Sequence, residues 1–307
     1  MDLRQMRQFV AVAEELHFGK AAQRLNMAQP PLSQAIRRLE LDLGVTLFDR
    51  SSREVALTEA GAVFLAEARR TLRQAELARK MTQRAAAGAP EVRVSFIGPV
   101  LYRVLPGVLL AHKAAFPEVD VRLFERGSAD QIQAILNGEL DVGFITGLGG
   151  GAGDLASLVV ERAEYLAAVP EDWEEAKRDS IRLTDLADKP FIFPPRSISS
   201  YYSEPLAMFE SVGVTPRVTQ EAAQAITMVS LVSAGLGCSI LSASTAHTRP
   251  RNVKFLRIED APPHRPFELL MIWSPEAATK PAAAFVQAAK DCVAAHPQWL
   301  DPSAPST

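Results

Sequence analysis

Apolar residues at the start of the chain recur at spacings of three and four. Leu3, Met6, Val10, Ala13 and Leu16 make one face of a first helix. Ala21, Ala22 and Leu25 mark a short second helix, opened near Phe18-Gly19 and closed by Asn26. A third opens at Pro30-Pro31, where proline is tolerated because first-turn N–H groups lack intrahelical partners. Its apolar stripe is Leu32, Ile36, Leu39 and Leu43, and Gly44 suits its end. The run from Leu47 to Leu57 puts two short apolar arms around a polar tip, which predicts a hairpin or wing. From Thr58, a good N-cap residue, to Ala87 there is no proline, and Gly61 is the one breaker. A helix of about 30 residues spans roughly 45 Å and calls for a partner. Ala60, Val63, Phe64, Leu72, Ala75 and Ala78 can lie along one side of it.

Beyond Ala86–Pro90 the pattern changes to alternating strands and helices. Strands are predicted at Val92–Ile97, Val119–Phe124 and Asp141–Thr146, and helices at Pro106–Phe116 and Ser128–Leu136. That order argues for a parallel sheet with helices on its faces. Further strands are expected at Tyr165–Val169, Phe191–Phe193, Cys238–Leu241, Val253–Ile258 and Phe267–Trp273. Helices are expected at 201–211, 222–234 and Pro281–Ala295, with Pro297–Thr307 loose. The last strand and helix follow a whole second substructure, so the chain should cross between two lobes twice.

The expected architecture is a mainly α winged helix-turn-helix head (1–58), a linker or dimerisation helix (59–88) and a two-lobe α/β domain (89–303). Lobe 1 would take about 91–164 and 268–300, and lobe 2 about 165–267. Two lobes with two crossings resemble a periplasmic-binding-protein fold, whose ligand sits in the cleft.

Composition alters this picture little. Hydrophobic residues make up 48% and charged residues 22% of 307, which excludes disorder for most of the chain. The net charge of −3 hides an asymmetry: residues 1–87 carry +4 and the remainder −7. A mildly basic head on an acidic body suits a head that meets phosphate. No apolar run long enough to span a membrane occurs, no cleavage site follows the first helix, and the two cysteines lie far apart. A cytoplasmic location follows as the expectation.

The outer face of the third helix carries the candidate chemistry. Ser33, Gln34, Arg37 and Arg38 lie opposite the apolar stripe, with Gln29 at the entry. Gln can bond bidentately to adenine and Arg to guanine, while Ser or Arg can hold phosphate. Arg50 and Arg53 would sit on the wing. A solvated face on a three-helix cap would carry similar residues, and the pattern alone leaves both readings open. The order of residues adds to it. Ala21–Asn26, Ala28–Glu40, Leu43–Arg50 and Leu57–Gly61 closely resemble the DNA-binding head of LysR-type transcriptional regulators, without gaps. The cleft loops are similar in character to the aromatic-catabolism subgroup. This head departs from the commonest pattern at Gln34-Ala35, where such regulators often carry Arg-Gln.

The resemblance implies a homotetramer on a dyad-symmetric promoter site that responds to a small effector by changing DNA bend. RNA polymerase is a further candidate partner. The major-groove contacts would be Gln29, Pro30, Pro31, Ser33, Gln34 and Arg37. The long helix would pack antiparallel on that of a second subunit.

In a cleft of this kind, strand ends and helix N-termini supply anion-binding N–H groups. The candidate effector contacts are Gly98, Pro99, Val100, Ser128, Thr146, Pro195, Arg196, Ser197 and Ser199. Related regulators often show a hydroxyl beside the first glycine. Pro99 removes it, so an anion would rely on the amides of Val100 and Leu101. Ser128 with Gln131 equally fits a capping box. Arg196 beside three serines is a candidate carboxylate clamp. The effector expected from these loops is a carboxylate or aromatic compound.

Other motifs carry less. Gly147–Ala152 superficially matches a dinucleotide fingerprint but follows the third strand, so a loop is expected. The five histidines never pair at ligand spacing, so neither metal nor cofactor is expected. A small-molecule enzyme or plain solute-binding module with a helical cap remains as the rival class, though no catalytic constellation is found. A redox sensor through Cys238 is a further alternative and would need an accessible, low-pKa thiol.

Overall fold

A computed structural model describes residues 1–49, 55–87, 90–147, 155–195, 199–260, 266–276 and 279–302. The chain divides into two compact units, Met1–Gly88 and Ala89–Thr307.

The first unit opens with α1 (Leu3–Glu15), whose N-cap Asp2 accepts from the Gln5 N–H while the Gln5 side chain caps the Asp2 N–H in return. α2 (Phe18–Arg24) is capped by the His17 imidazole, whose Nδ1 accepts from the Gly19 and Lys20 amides. α3 (Gln29–Leu43) starts one residue before the two prolines and ends at Gly44, which takes the left-handed conformation at φ 69°. β1 (Phe48–Asp49) and β2 (Ala56–Leu57) pair antiparallel as the predicted hairpin. α4 (Glu59–Ala87) completes the unit.

Phe9, Val12, Leu32, Ile36, Leu39, Leu47 and Phe48 form its core. Met6 and Ala13 of the predicted stripe are buried and Val10 packs on this core. The centre of the buried face of α1 is Phe9 and Val12, however, and the two ends of the stripe fall outside it. Leu3 and Leu16 are exposed, because the helix stops at Glu15 and Leu16 turns left-handed at φ 46°. Phe9 instead packs its ring on Phe48 at 5.2 Å and Phe64 at 4.8 Å.

Gly61 is no helix breaker. Thr58 Oγ1 caps its N–H at 2.9 Å, and a Cβ there would fall inside the Leu47 carbonyl oxygen. Glycine is needed for that approach. The single apolar side predicted for α4 also divides: Phe64 and Leu72 pack on the head's own core, while Val63 and Ala78 are exposed. Phe64 and Leu72 are thus already covered within the chain.

The second unit begins with β3 (Glu91–Phe96), a 3₁₀ turn at Gly98–Tyr102, α5 (Val104–Ala115), β4 (Asp120–Glu125), α6 (Ser128–Leu136) and β5 (Val142–Thr146). β3 pairs parallel with both β4 and β5. β6 (Ala156–Ala163) was not predicted; it is an eight-residue strand. Its alternation is masked by Val159-Val160 and by Glu161, a charge that is fully buried.

β7 (Tyr165–Pro170), β8 (Ser180–Ile181), β9 (Pro190–Phe193), α7 (Ser199–Ser211), β10 (Arg217–Glu221), α8 (Ala225–Ser233), β11 (Ser239–Ser242) and β12 (Val253–Ile258) follow. β13 (Phe267–Trp273) and α9 (Lys280–Ala295) close the unit. β8 and β10 were not predicted, being two residues long and wholly exposed, respectively. Pro297–Trp299 is a turn rather than a loose end; Trp299 is buried and its ring stacks on His296 at 4.4 Å.

Two lobes result. One holds a five-stranded sheet of order β4-β3-β5-β13-β6, with β13 antiparallel to both neighbours. The other holds the sheet β11-β7-β12-β8 and the parallel pair β10-β9. α6 covers the first sheet through Ile132 and Ile135 against Ile145 and Ile272. α8 covers the second through Met228, Val229 and Val232 against Ala168 and Leu241.

Candidate nucleic-acid interface and effector cleft

On α3, Leu32, Ile36 and Leu39 are fully buried, which fixes the opposite face outward. Gln29, Pro30, Pro31, Gln34 and Arg37 are exposed there, as is Arg38, while Ser33 is half-buried. Among the described residues nothing pairs with the Gln34 amide or the Arg37 guanidinium. Two basic groups elsewhere in this unit, Arg24 and Arg69, are committed to a carboxylate. Arg24 binds Glu14 at 2.8 Å and Arg69 binds the other oxygen of Glu14 at 2.7 Å, which holds the Glu14 carboxyl below the usual range. Glu40, unmarked in the sequence, and Thr58, expected only as an N-cap, set how α3 meets the hairpin. Glu40 Oε1 accepts from the Leu47 and Phe48 amides at 2.9 and 3.2 Å, and Thr58 Oγ1 donates to the Thr46 carbonyl at 2.8 Å. Arg50 and Arg53 lie outside the described residues.

The effector candidates divide. Parallel pairing brings the C-terminal ends of β3, β4 and β5 together, and with them Gly98, Ser128 and Thr146. Thr146 N–H donates to Ser128 Oγ at 3.3 Å. Ser128 does not cap α6: Gly127 is the N-cap residue and no side chain bonds there, so the capping-box reading is corrected. The Gln131 amide instead donates to the Arg126 carbonyl at 2.8 Å. Pro99 and Val100 are buried. The Val100 N–H already donates to the Ile97 carbonyl at 3.2 Å within the 3₁₀ turn, so it is not an anion donor as expected. Pro195 is half-buried after β9, and Ser199 opens α7. Arg196 and Ser197 lie outside the described residues, as does most of the glycine run after Gly147.

A polar cluster that sequence reasoning missed sits where the lobes join. Glu161 on β6 is fully buried; its Oε1 accepts from Arg103 Nη2 at 2.6 Å and from Ser244 Oγ at 2.9 Å. Burial pushes the Glu161 carboxyl up, against the pull of Arg103 and Ser244. His247, three residues on, is pushed down by burial and by the nearby Arg103 charge. No motif could have found this group, since its members are 58 and 83 residues apart.

Cys238 is fully buried beside the Pro190 carbonyl, and burial pushes its thiol up to about 12. That is the opposite of a reactive thiolate. Cys292 is also buried and pushed up. No group of His, Cys, Asp and Glu suited to a metal ion occurs among the described residues.

Residues 3–62 match the family model described as bacterial regulatory helix-turn-helix protein, lysR family, and residues 85–293 match the LysR substrate binding domain. The chain belongs to the LysR-type transcriptional regulators. It is 36% identical to the HTH-type transcriptional regulator YnfL of Escherichia coli over 290 residues, 92% of this chain and 95% of that one. With AlsR of Bacillus subtilis it shares 37% identity over 249 residues, 80% and 81% of the two chains. The crystal structure of full-length CbnR complexed with its target DNA is 29% identical, with a TM-score of 0.58 over 95% of this chain and all of that one. The LysR-type family is one of effector-responsive, DNA-binding regulators rather than enzymes, which removes the rival class. Among the described residues no helix is long and apolar enough to cross a membrane.

Proposed function

We propose that this regulator reads a dyad-symmetric promoter site with the outer face of α3, and that a small carboxylate or aromatic effector between the lobes changes the DNA bend. The observation that carries the reading is the unpaired Gln34 and Arg37, beside Gln29, Pro30 and Pro31, on a helix whose other face is locked into the core. Gln34 and Arg37 suit base edges, and Gln29 and Ser33 suit phosphate. Arg50 and Arg53 would add backbone or minor-groove contacts from the wing. Two heads related by a two-fold axis require two half-sites, about one helical turn or its multiples apart.

Subunits assemble as a homotetramer in the cytoplasm, with RNA polymerase as the downstream partner. The exposed Val63 and Val45 beside α4, and the exposed Leu110 on α5, are apolar positions left for other subunits. In the cleft, Ser128 Oγ accepts from Thr146 and so retains its own O–H for an anionic ligand. Gly98, Pro99, Val100, Thr146 and Pro195 contribute shape, and Arg196, Ser197 and Ser199 would supply charge and hydroxyl donors from the facing lobe. DNA bending costs of order 1–6 kcal/mol and effector coupling about 1–3 kcal/mol, so modest differential binding can relax a bend without releasing the protein.

Footprinting of the full chain on DNA upstream of its own gene tests the first half. Protection of two half-sites is expected; absence of protection at low salt, where phosphate contacts are strongest, counts against the reading. Benzoate, as the simplest aromatic carboxylate, tests the second. Saturation should raise the melting temperature, about 2.7 kcal/mol of stabilisation at 100 times Kd, and alter the bend. An unmoved melting temperature would remove the aromatic-acid assignment and leave the DNA reading intact.

A further inference from the structure

The junction between the lobes is unusual in what it buries. The chain leaves the first lobe at Ala163 and enters the second at Tyr165, so Glu164 alone separates β6 from β7. Its carbonyl accepts from the Ala243 N–H at 2.8 Å, which ties the first turn after β11 to the crossing. That turn, Ala243–Thr248, carries Ser244 and His247 and packs on the 3₁₀ turn Gly98–Tyr102 of the first lobe. Arg103 follows directly, with its side chain 17% exposed, and Glu161 is fully shielded from water.

Arg103 and Glu161 both belong to the first lobe, and the second lobe meets them with the Ser244 hydroxyl, with the His247 imidazole close enough to feel the Arg103 charge. A charge pair in that setting forgoes hydration, and its mutual attraction repays the loss only with good geometry and further hydrogen bonds. Ser244 supplies one such bond, and it is the one that crosses between lobes. Turning the lobes apart at this point would hydrate the pair and break the Ser244 contact; bringing them together reverses both.

We propose that Arg103, Glu161 and Ser244 form a charged latch across the lobe junction that sets how readily the lobes turn on one another. Arg103 and Glu161 are positioning residues, for neither is placed among the effector contacts. The latch gives the domain a resting orientation that does not depend on any ligand. Its existence does not rest on the effector assignment, although an effector that turns the lobes would work against it.

Hydrogen exchange of the full-length chain, read by mass spectrometry on peptides without DNA or effector, tests the latch. Peptides covering 239–248 report the junction, and those covering 92–96 and 142–146 report the first sheet. Glu161→Gln and Arg103→Met each leave a buried charge without its partner. Each should speed exchange at the junction by about tenfold or more and move the sheet peptides by less than about twofold. Removing both charges together, Arg103→Met with Glu161→Gln, should bring junction exchange back to within about threefold of the parent chain. Ser244→Ala, the mildest change, should raise it by about threefold. Unchanged junction exchange overturns the latch. So does an increase shared equally by the sheet peptides, or a double variant in which the two effects add instead of cancelling.

Discussion

The two working surfaces of this regulator place polar groups in opposite settings. On α3 the amide of Gln34 and the guanidinium of Arg37 stand in water, held by a face of Leu32, Ile36 and Leu39 that is completely dry. At the lobe junction Glu161 and Arg103 are themselves inside, and the covering groups come from another lobe. A group in water can be exchanged at small cost to folding and large cost to recognition. For a group inside the protein the order is reversed, because removing one partner leaves the other uncompensated. On the readings proposed above, the head separates folding from recognition residue by residue, whereas the second unit places both demands on the same residues.

The largest expected effect breaks the dry side of α3. Leu32→Ala should cost the head about 2–5 kcal/mol, visible as earlier urea unfolding together with lost DNA binding. Arg37→Ala sharpens the contrast from the wet side: operator affinity should fall by about 1–3 kcal/mol, roughly 5–150-fold, with the melting temperature unchanged. A shared fall in stability would mean that Arg37 holds the fold and does not read DNA.

His112 offers an intermediate test in the second unit. It lies buried between α5 and α9, its ring 5.2 Å from Phe285, and burial pushes its pKa down. The unfolded chain takes up this proton near about pH 6.5 and the folded chain resists it. Stability from His112 is therefore full above that pH and declines as pH falls from there towards the folded value. Urea titrations at pH 7.5 and 5.5 should show the decline, and His112→Phe should flatten it; an unaltered slope would place the proton elsewhere. The smallest effect is expected at Cys238. Iodoacetamide should not modify it in the folded chain, and Cys238→Ser should leave any response to peroxide as it was.

How far sequence alone foretells each surface follows from the span of its contacts. The apolar stripe of α3 and the cap at Gly44 lie within one helix, so spacing suffices to orient Gln34 and Arg37. The same holds for α6, β12 and β13, whose limits match the pattern. α1 shows the limit: the stripe through Leu3 and Leu16 is as periodic as the true one through Phe9 and Val12, and only packing against Phe48 and Phe64 decides between them. Ser128-x-x-Gln131 has the spacing of a cap, yet Ser128 meets Thr146, 18 positions away at the end of β5. β6 escaped notice because a buried glutamate looks like a surface residue until its arginine is in place. The candidate effector contacts join such distant pairs, and the Val100 amide is spent within its own turn.

Gly61 has a mechanical consequence for the whole head. With no side chain between the long helix and the Leu47 carbonyl, and with Thr58 bonded to both sides of that contact, α4 and the hairpin have no slack between them. Glu40 closes the same ring from the end of α3. The head is therefore keyed to the start of its helix like a wrench to its handle, and a turn of that end of α4 carries the face that holds Gln34 and Arg37 with it.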